Sequence, residues 1–377
     1  MTPRPCRLIE IAGKPYDRGA SYGRQAAPEI RAGIGHYAAQ VRELGLSDAA
    51  LAAVVALYLP KIEGFEPDYV EEMRGIADGA RVEFHHIVMI NARTEVLKLA
   101  ANRALRDSLL GEVEPDGCTA VVVRPSAAAE GQLIHAHNWD WKAESAEASV
   151  VLRIRNEDGP DILTFTEAGA LGRFGFNSVG IGITGNYLEC DRDYRQIGVP
   201  LALIRRQVLE QRQFALALRS AYATPKSGSN NIVVSHAIGG LVYDFECAPD
   251  ETFDVEPRDG LLVHANHWQS PVALSKLREM GVASMPDSLY RERRARELLA
   301  GKVGRLTVAD VKAVLLDDWE TPWSICRPPR PSATTNLSAT VISLVMQPVL
   351  GEMEIAVLPA LDPTFTRYTL EMENQSR

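Results

Sequence analysis

The segment Pro115-Asp116-Gly117-Cys118-Thr119 places a thiol where a charged stretch containing Gly111 and Pro115 gives way to the β-branched run Thr119–Arg124. Gly117 lacks a Cβ, so its backbone tolerates a strained geometry and lets the Cys118 sulfur approach the Gly117 carbonyl. Attack there would move the acyl bond from nitrogen to sulfur, and water would then release the upstream chain. The freed α-amino group of Cys118, with an ordinary pKa of roughly 7.7–8.0, would serve as the thiol's own base. The same residues have a plainer reading, in which Cys118 is a small buried hydrophobe opening a strand, the usual fate of a free cysteine. Residue chemistry alone leaves both standing.

Other constellations compete. His135-Ala136-His137 on a strand points both imidazoles to one face, and with Asp140 they would suit a metal-dependent amidohydrolase. His264-Ala265-Asn266-His267 offers two more. The barrel such enzymes use needs alternating parallel strands, which this chain lacks, and histidines near strand ends are more often hydrogen-bonded core residues. A papain-like pairing of Cys118 with one of these histidines stays open, although that family's local pattern around the cysteine is missing. Residues 180–185 spell GxGxxG, but the polar run Asn186-Tyr187-Leu188-Glu189 follows where a dinucleotide site needs a helix. There is no GxSxG, HExxH or P-loop, and no cofactor or metal is expected.

Charge and cysteine usage narrow the partners. Lys and Arg number 40 against 49 Asp and Glu, a net −9, with no basic stripe to hold nucleic acid or an anionic membrane. The other cysteines, Cys6, Cys190, Cys247 and Cys326, make an odd total of five with no CxxC spacing. That fits reduced thiols in a cytoplasm rather than a disulfide framework or zinc ribbon. The amino terminus has no apolar run of the kind a signal peptide needs. The longest apolar stretch, residues 49–60, falls well short of the roughly 20 residues needed to span a bilayer.

The elements that must position these groups change character near residue 117. Before it, helices are predicted over 26–44, 47–58 (with Ser47 as N-cap), 68–80 and 84–105, then an exposed loop over 106–117. After it, strands are predicted over 119–124, 132–137, 148–155, 161–166, 231–237 and 241–246, the last two joined by Gly239-Gly240. Helices return at 200–221 and, at least twice, within 286–315, followed by strands at 341–346 and 352–358. Hairpins with helices set apart imply an antiparallel α+β layered fold. Pairing Arg124 with Gln132 sets Cys118 opposite Asn138, with Asp140 just beyond. On that register, open by a residue or two, one hairpin brings thiol and carboxylate together from its two ends.

Asp116-Gly117-Cys118-Thr119 followed by Asn138-Trp139-Asp140 resembles the acyl-coenzyme A:6-aminopenicillanic acid acyltransferase family. These are self-processing N-terminal nucleophile (Ntn) hydrolases, distantly similar to choloylglycine hydrolases. The likeness extends through Gly13-Lys14-Pro15-Tyr16-Asp17-Arg18-Gly19, Glu72-Met73-Arg74-Gly75-Ile76-Ala77-Asp78-Gly79 and Asn91-Ala92-Arg93-Thr94-Glu95. Downstream it includes Gly175-Phe176-Asn177-Ser178-Val179-Gly180-Ile181 and His264-Ala265-Asn266-His267. The resemblance implies an Ntn-hydrolase αββα four-layer sandwich, two antiparallel sheets between helices. It implies one domain over 1–377, cut into a mostly helical 1–117 and a 118–377 piece that stay associated, with a homo-oligomer left open.

Carried over by position, the resemblance makes Cys118 the nucleophile, freed by cleavage after Gly117, and Asp140 the aspartate that holds the new amino terminus. Asn231, or the adjacent Asn230, becomes the oxyanion amide, a contribution of about 3–4 kcal/mol when such a donor works well. Asn186 is a second candidate amide and Arg327 a late active-site arginine. The expected activity is hydrolysis of a small N-acyl compound through a thioester. Acyl transfer from coenzyme A or an amide donor, a metal-dependent amidohydrolase using His135 and His137, and a non-processing binding protein are the alternatives.

Overall fold

Residues 2–43, 45, 47–99, 117–331 and 337–373 of the chain are described by a computed structural model. The amino-terminal part runs β1 (Arg7–Ala12), α1 (Pro15–Gln25), α2 (Ala27–Glu43), α3 (Asp48–Ala56), α4 (Leu59–Phe65), α5 (Pro67–Ala80), α6 (Phe84–Asn91) and α7 (93–99). Its helix starts follow from local chemistry. The Ser47 hydroxyl accepts from the Ala50 N–H at 3.2 Å, and proline occupies the first turn of α1, α4 and α5, where its missing N–H costs nothing. The helix predicted over 84–105 breaks at Ala92, and its far end, like the loop predicted over 106–117, lies outside the described residues except at Gly117. β1, α1 and α4 were not anticipated.

The remainder supplies the sheets: β2 (Gly117–Val123), β3 (Ile134–Lys142), β4 (Ser149–Arg155), β5 (Ile162–Glu167), β6 (Phe174–Asn177) and β7 (Ile181–Thr184). After α8 (Leu201–Glu210) and α9 (Phe214–Ala223) come β8 (Asn230–His236), β9 (Leu241–Cys247), β10 (Thr252–Val255) and β11 (Leu261–His264). Then follow α10 (Pro271–Lys276), α11 (Asp287–Ala300), α12 (Val308–Leu315), β12 (Arg330–Pro331), β13 (Leu337–Gln347), β14 (Glu352–Val357) and β15 (Thr366–Thr369). The helix predicted over 200–221 is two, α8 and α9, with non-helical residues between them.

The first sheet has the order β1-β4-β5-β6-β7-β8-β9-β10, the second β11-β2-β3-β13-β14-β15, with β12 on β13. Pairing is antiparallel except at one edge, where β1 lies parallel to β4 and corrects the expectation of purely antiparallel sheets. The two sheets face each other. His135 of β3 bonds to Ser235 of β8 and Thr184 of β7 across the gap, and Ala120 and Val122 cluster with Val233 and Val242. α8 and α9 lie on the first sheet, α11 and α12 on the second, giving the expected αββα layering. Among the described residues no single helix is long and apolar enough to cross a membrane.

Two glycine pairs lock the amino-terminal helices. A Cβ at Gly19 would lie 2.0 Å from the Glu72 carbonyl oxygen, and one at Gly23 2.2 Å from that of Ile76. Reciprocally, Gly75 would meet the Tyr16 carbonyl at 2.1 Å and Gly79 that of Ala20 at 2.3 Å. α1 and α5 thus cross backbone to backbone. At the crossing Glu72, fully buried, takes Arg18 at 2.5 Å and, from α8, Arg206 at 3.3 Å. Burial pushes the Glu72 carboxyl up, but Arg206 and Arg18 outweigh it and hold the group below its ordinary range. Removing one partner of such a buried set is costly, because a charge is left without compensation.

Gly19→Ala should therefore destabilise by about 1–3 kcal/mol, the range for overpacking a close contact. Gly35→Ala, in exposed α2 sequence with nothing within 4 Å of the new methyl, should be neutral or stabilise by up to about 1 kcal/mol. Urea denaturation of the two variants measures this; equal effects would show that close approach is not what fixes Gly19.

Candidate active site

β2 runs between β11 and β3, and its register with β3 decides which groups meet. Gly117 stands opposite Asp140 and Cys118 opposite Trp139. The expected pairing of Cys118 with Asn138 is one residue off, and with a side-chain period of two that slip changes faces. Cys118 and Trp139 share the face toward the first sheet, while Gly117 and Asp140 share the face toward α11 and α12. Asp140 consequently addresses the peptide that precedes the thiol, not the sulfur.

The contact at Gly117 is close. A Cβ there would lie 2.8 Å from Asp140 Oδ2 and 3.3 Å from Arg327 Nη1, so glycine is needed for space. Asp140 Oδ1 accepts from Thr340 Oγ1 at 2.7 Å, and Arg327 Nε approaches Oδ2 at 3.3 Å. Thr340 Oγ1 in turn accepts from the Arg327 backbone N–H at 2.8 Å. Arg327 also pairs with Asp287 at the start of α11. Asp140 and Arg327, two of the predicted site residues, are thus brought together on Gly117.

Two residues that sequence reasoning did not assign complete the setting. The Cys118 N–H donates to Asn266 Oδ1 at 2.8 Å, and Arg291 Nη2 donates to the same oxygen at 2.8 Å. Arg291 Nη1 donates to the Cys118 carbonyl at 2.5 Å and to Thr119 Oγ1 at 2.9 Å, with Nε on Asp287 at 2.8 Å. Burial pushes Asp287 up, but Arg291 and Arg327 hold it below the usual carboxylate range. Asn266 Nδ2 donates to the Tyr187 carbonyl at 3.0 Å. Asn266 sits inside the His264–His267 run, where the histidines drew attention; Arg291 had no signal beyond its i,i+4 spacing from Asp287.

Cys118 lines a cavity of about 40 Å³, partly open to solvent, together with Asn186, Tyr187, Thr166, Arg173 and Arg205. Arg93 and Glu95 also line it. Arg93 and Arg173 converge on Glu167 at 2.6 and 2.8 Å, so charged groups share the walls with apolar ones, among them Ile90, Ala170 and Leu201. Asn186 does reach the cavity, but its Nδ2 donates to the carbonyls of His264 (2.8 Å) and Ala265 (2.7 Å), tying down the loop that carries Asn266. Asn231 donates its amide to Asp244, and Asn230 donates weakly to the Gly228 carbonyl at 3.5 Å. Neither lines this cavity.

The histidines divide. His135 has both ring nitrogens on hydroxyls, at 2.8 Å to Ser235 and 2.7 Å to Thr184, and burial lowers its pKa to about 3. His137 lies against Phe174, the ring centroids 4.2 Å apart and the planes tilted by 50°, and its pKa is pushed well down by burial and by Arg205 and Arg173. Asp140 points to the other face of β3, so the sequence-level metal set His135, His137 and Asp140 is not assembled. The GxGxxG residues form β7 and its ends, and residues 185–200 after them hold no helix.

A profile of the acyl-coenzyme A:6-aminopenicillanic acid acyl-transferase family matches residues 127–357. The acyl-coenzyme A:6-aminopenicillanic-acid-acyltransferase 40 kDa form of Emericella nidulans is 31% identical over 328 residues, 85% of this chain and 84% of that one. Among solved structures, a variant of conjugated bile acid hydrolase from Clostridium perfringens is similar with a TM-score of 0.49 and 11% identity, over 68% of this chain and 93% of that one. The Caenorhabditis elegans ortholog of N-acylethanolamine-hydrolyzing acid amidase gives 0.44 and 16%, over 67% and 100%.

Behind the site, His264 Nε2 meets Glu246 Oε1 at 2.9 Å in full burial. Burial alone would lower the His264 pKa, but Asp244 and Glu246 raise it to about 9. Between the ordinary value of 6.5 and about 9 the folded chain holds a proton that the unfolded chain has lost. This stabilisation is complete below pH 6.5 and is lost as pH rises through 9. Stability should fall by on the order of 1 kcal/mol per pH unit across that window. His264→Gln should flatten the slope, as read by denaturant midpoints at pH 6.5, 8 and 9.5; an unchanged slope would exclude His264 as its source.

Proposed function

Since the chain belongs to the acyl-coenzyme A:6-aminopenicillanic acid acyl-transferase family, an enzyme family, we propose that it is a self-processing amidase whose nucleophile is the Cys118 thiolate. The observation that carries this is the arrangement around one peptide bond. Asp140 and Arg327 close on Gly117, while Asn266 and Arg291 grip the N–H and the carbonyl of Cys118. A buried cysteine serving only to fill space needs none of these.

In processing, the thiol attacks the Gly117 carbonyl carbon and an S–C bond forms. The C–N bond to Cys118 then breaks and its nitrogen takes a proton. Water cleaves the thioester, leaving a Gly117 carboxylate and a free Cys118 thiol and amine. That amine keeps its Asn266 Oδ1 contact and lies beside Asp140, oriented to accept the thiol's proton. In turnover the thiolate adds to the carbonyl of an N-acyl substrate. The amine leaves protonated by the Cys118 amino group, and water resolves the acyl-enzyme. Asn266, whose side chain holds the Cys118 N–H, takes the amide role that resemblance assigned to Asn231 or Asn230. The walls, charged groups beside apolar ones, suit a small N-acyl compound. Acyl transfer, the activity named for the Emericella nidulans relative, uses the same acyl-enzyme with an amine replacing water.

Freshly purified protein should resolve by intact mass into pieces of 117 and 377 − 117 = 260 residues. Cys118→Ala should stay at a single 41.3 kDa. Cleavage persisting in that variant would sink the assignment. Gly117→Ala should slow processing, because its methyl enters the Asp140 contact.

In matured enzyme Asn266→Ala should reduce kcat by about 10²–10³, the cost of losing an oxyanion-type donor, and Asn231→Ala by less than tenfold. The reverse order would return the role to Asn231. Adding a primary amine acceptor to the same assay separates transfer from hydrolysis by product.

A further inference from the structure

Away from the cavity, the first turns of two packed helices bring together three side chains that ligate metals. Asp48 opens α3, and His85 and His86 stand in the first turn of α6. His86 Nε2 lies 3.2 Å and His85 Nε2 3.5 Å from the same oxygen, Asp48 Oδ1, and the three ligand atoms all fall within 4.8 Å of one another. Consecutive residues of an α-helix point roughly 100° apart, so adjacent imidazoles do not reach one atom by default. Here both rings turn inward, with centroids 4.1 Å apart.

We propose that Asp48, His85 and His86 form a binding site for a divalent transition ion, with zinc as the fitting case. A tetrahedral zinc with bonds of about 2.0–2.1 Å holds its ligand atoms roughly 3.3 Å apart. Two of the three separations already have about that length, and the third lies within 4.8 Å. The side chains are 68% (Asp48), 22% (His85) and 17% (His86) accessible, leaving an open coordination position facing solvent for water. Two imidazoles and a carboxylate suit zinc, nickel or cobalt rather than magnesium or calcium, which prefer all-oxygen sets. A bound ion would clasp the start of α3 to the start of α6, the helix whose Ile90 and Asn91 line the Cys118 cavity.

The test is titration of the full-length protein with zinc by calorimetry, and with cobalt(II) followed by visible absorption. One ion per chain is expected, with an imidazole-and-oxygen tetrahedral cobalt spectrum and a rise in Tm on adding zinc. His85→Ala and His86→Ala should each weaken binding at least tenfold, and Asp48→Asn less severely, while processing at Gly117 continues in all three. The proposal is overturned if millimolar zinc does not bind, or if both histidine variants bind like the parent. A cobalt–thiolate charge-transfer band would also overturn it, by placing the ion on a cysteine.

Discussion

The pairing of Gly117 with Asp140 is the constraint on which the site depends. Because strand residues alternate faces, this one register sends the sulfur toward the first sheet and leaves the preceding peptide against a carboxylate on the reverse side. Every other group then acquires its place. Asn266 and Arg291 reach the backbone of Cys118, and the cavity opens on the thiol's side. With β3 held by β13, a hairpin shifted by one residue would turn the thiol away from the first sheet, onto the face that Asp140 shares with α11 and α12.

Charge organises the reverse face. Asp140, Arg327, Asp287 and Arg291 alternate in sign and end on the Cys118 carbonyl. Such buried sets add little net stability, since desolvation offsets attraction, but they penalise any arrangement that separates partners. The chain of ion pairs therefore fixes α11 over β2 with a specificity that apolar packing alone would not give. The Arg18–Glu72–Arg206 set does the same between α1, α5 and α8 on the opposite side of the molecule.

Much of this was legible in sequence, for identifiable reasons. The hairpin at Gly239 and Gly240 was, because both glycines adopt positive φ (74° and 61°), which β-branched neighbours could not. The amphipathic helix at 67–80 was, because its apolar residues repeat at helical spacing. β1 was not: a parallel edge strand has its partner, β4, more than a hundred residues away, and six residues carry too little pattern. The β2–β3 register was missed by one because a ten-residue connection, not a tight turn, joins the strands, and long loops do not set register. Asn266 and Arg291 lie 148 and 173 residues from Cys118. Local pattern reveals residue types at such distances but not convergence, which is why the Asn266 motif was read for its histidines. The hairpin reading already set Asp140 near the thiol, whereas Arg327 entered only because resemblance carried it by position.

The largest apolar core contains Ile9, Tyr22, Met73 and Ile87 from before Gly117 and Val151, Phe165, Ile204 and Ile342 from after it. β1, moreover, completes an edge of a sheet otherwise made from the later part. A chain cut at Gly117, as proposed, would therefore be an obligate heterodimer, with neither piece owning a whole core. Its folding equilibrium changes order: refolding, unimolecular in the uncut chain, becomes bimolecular and dependent on concentration. The native state of the cut form would persist less by recovering from unfolding than by seldom unfolding at all.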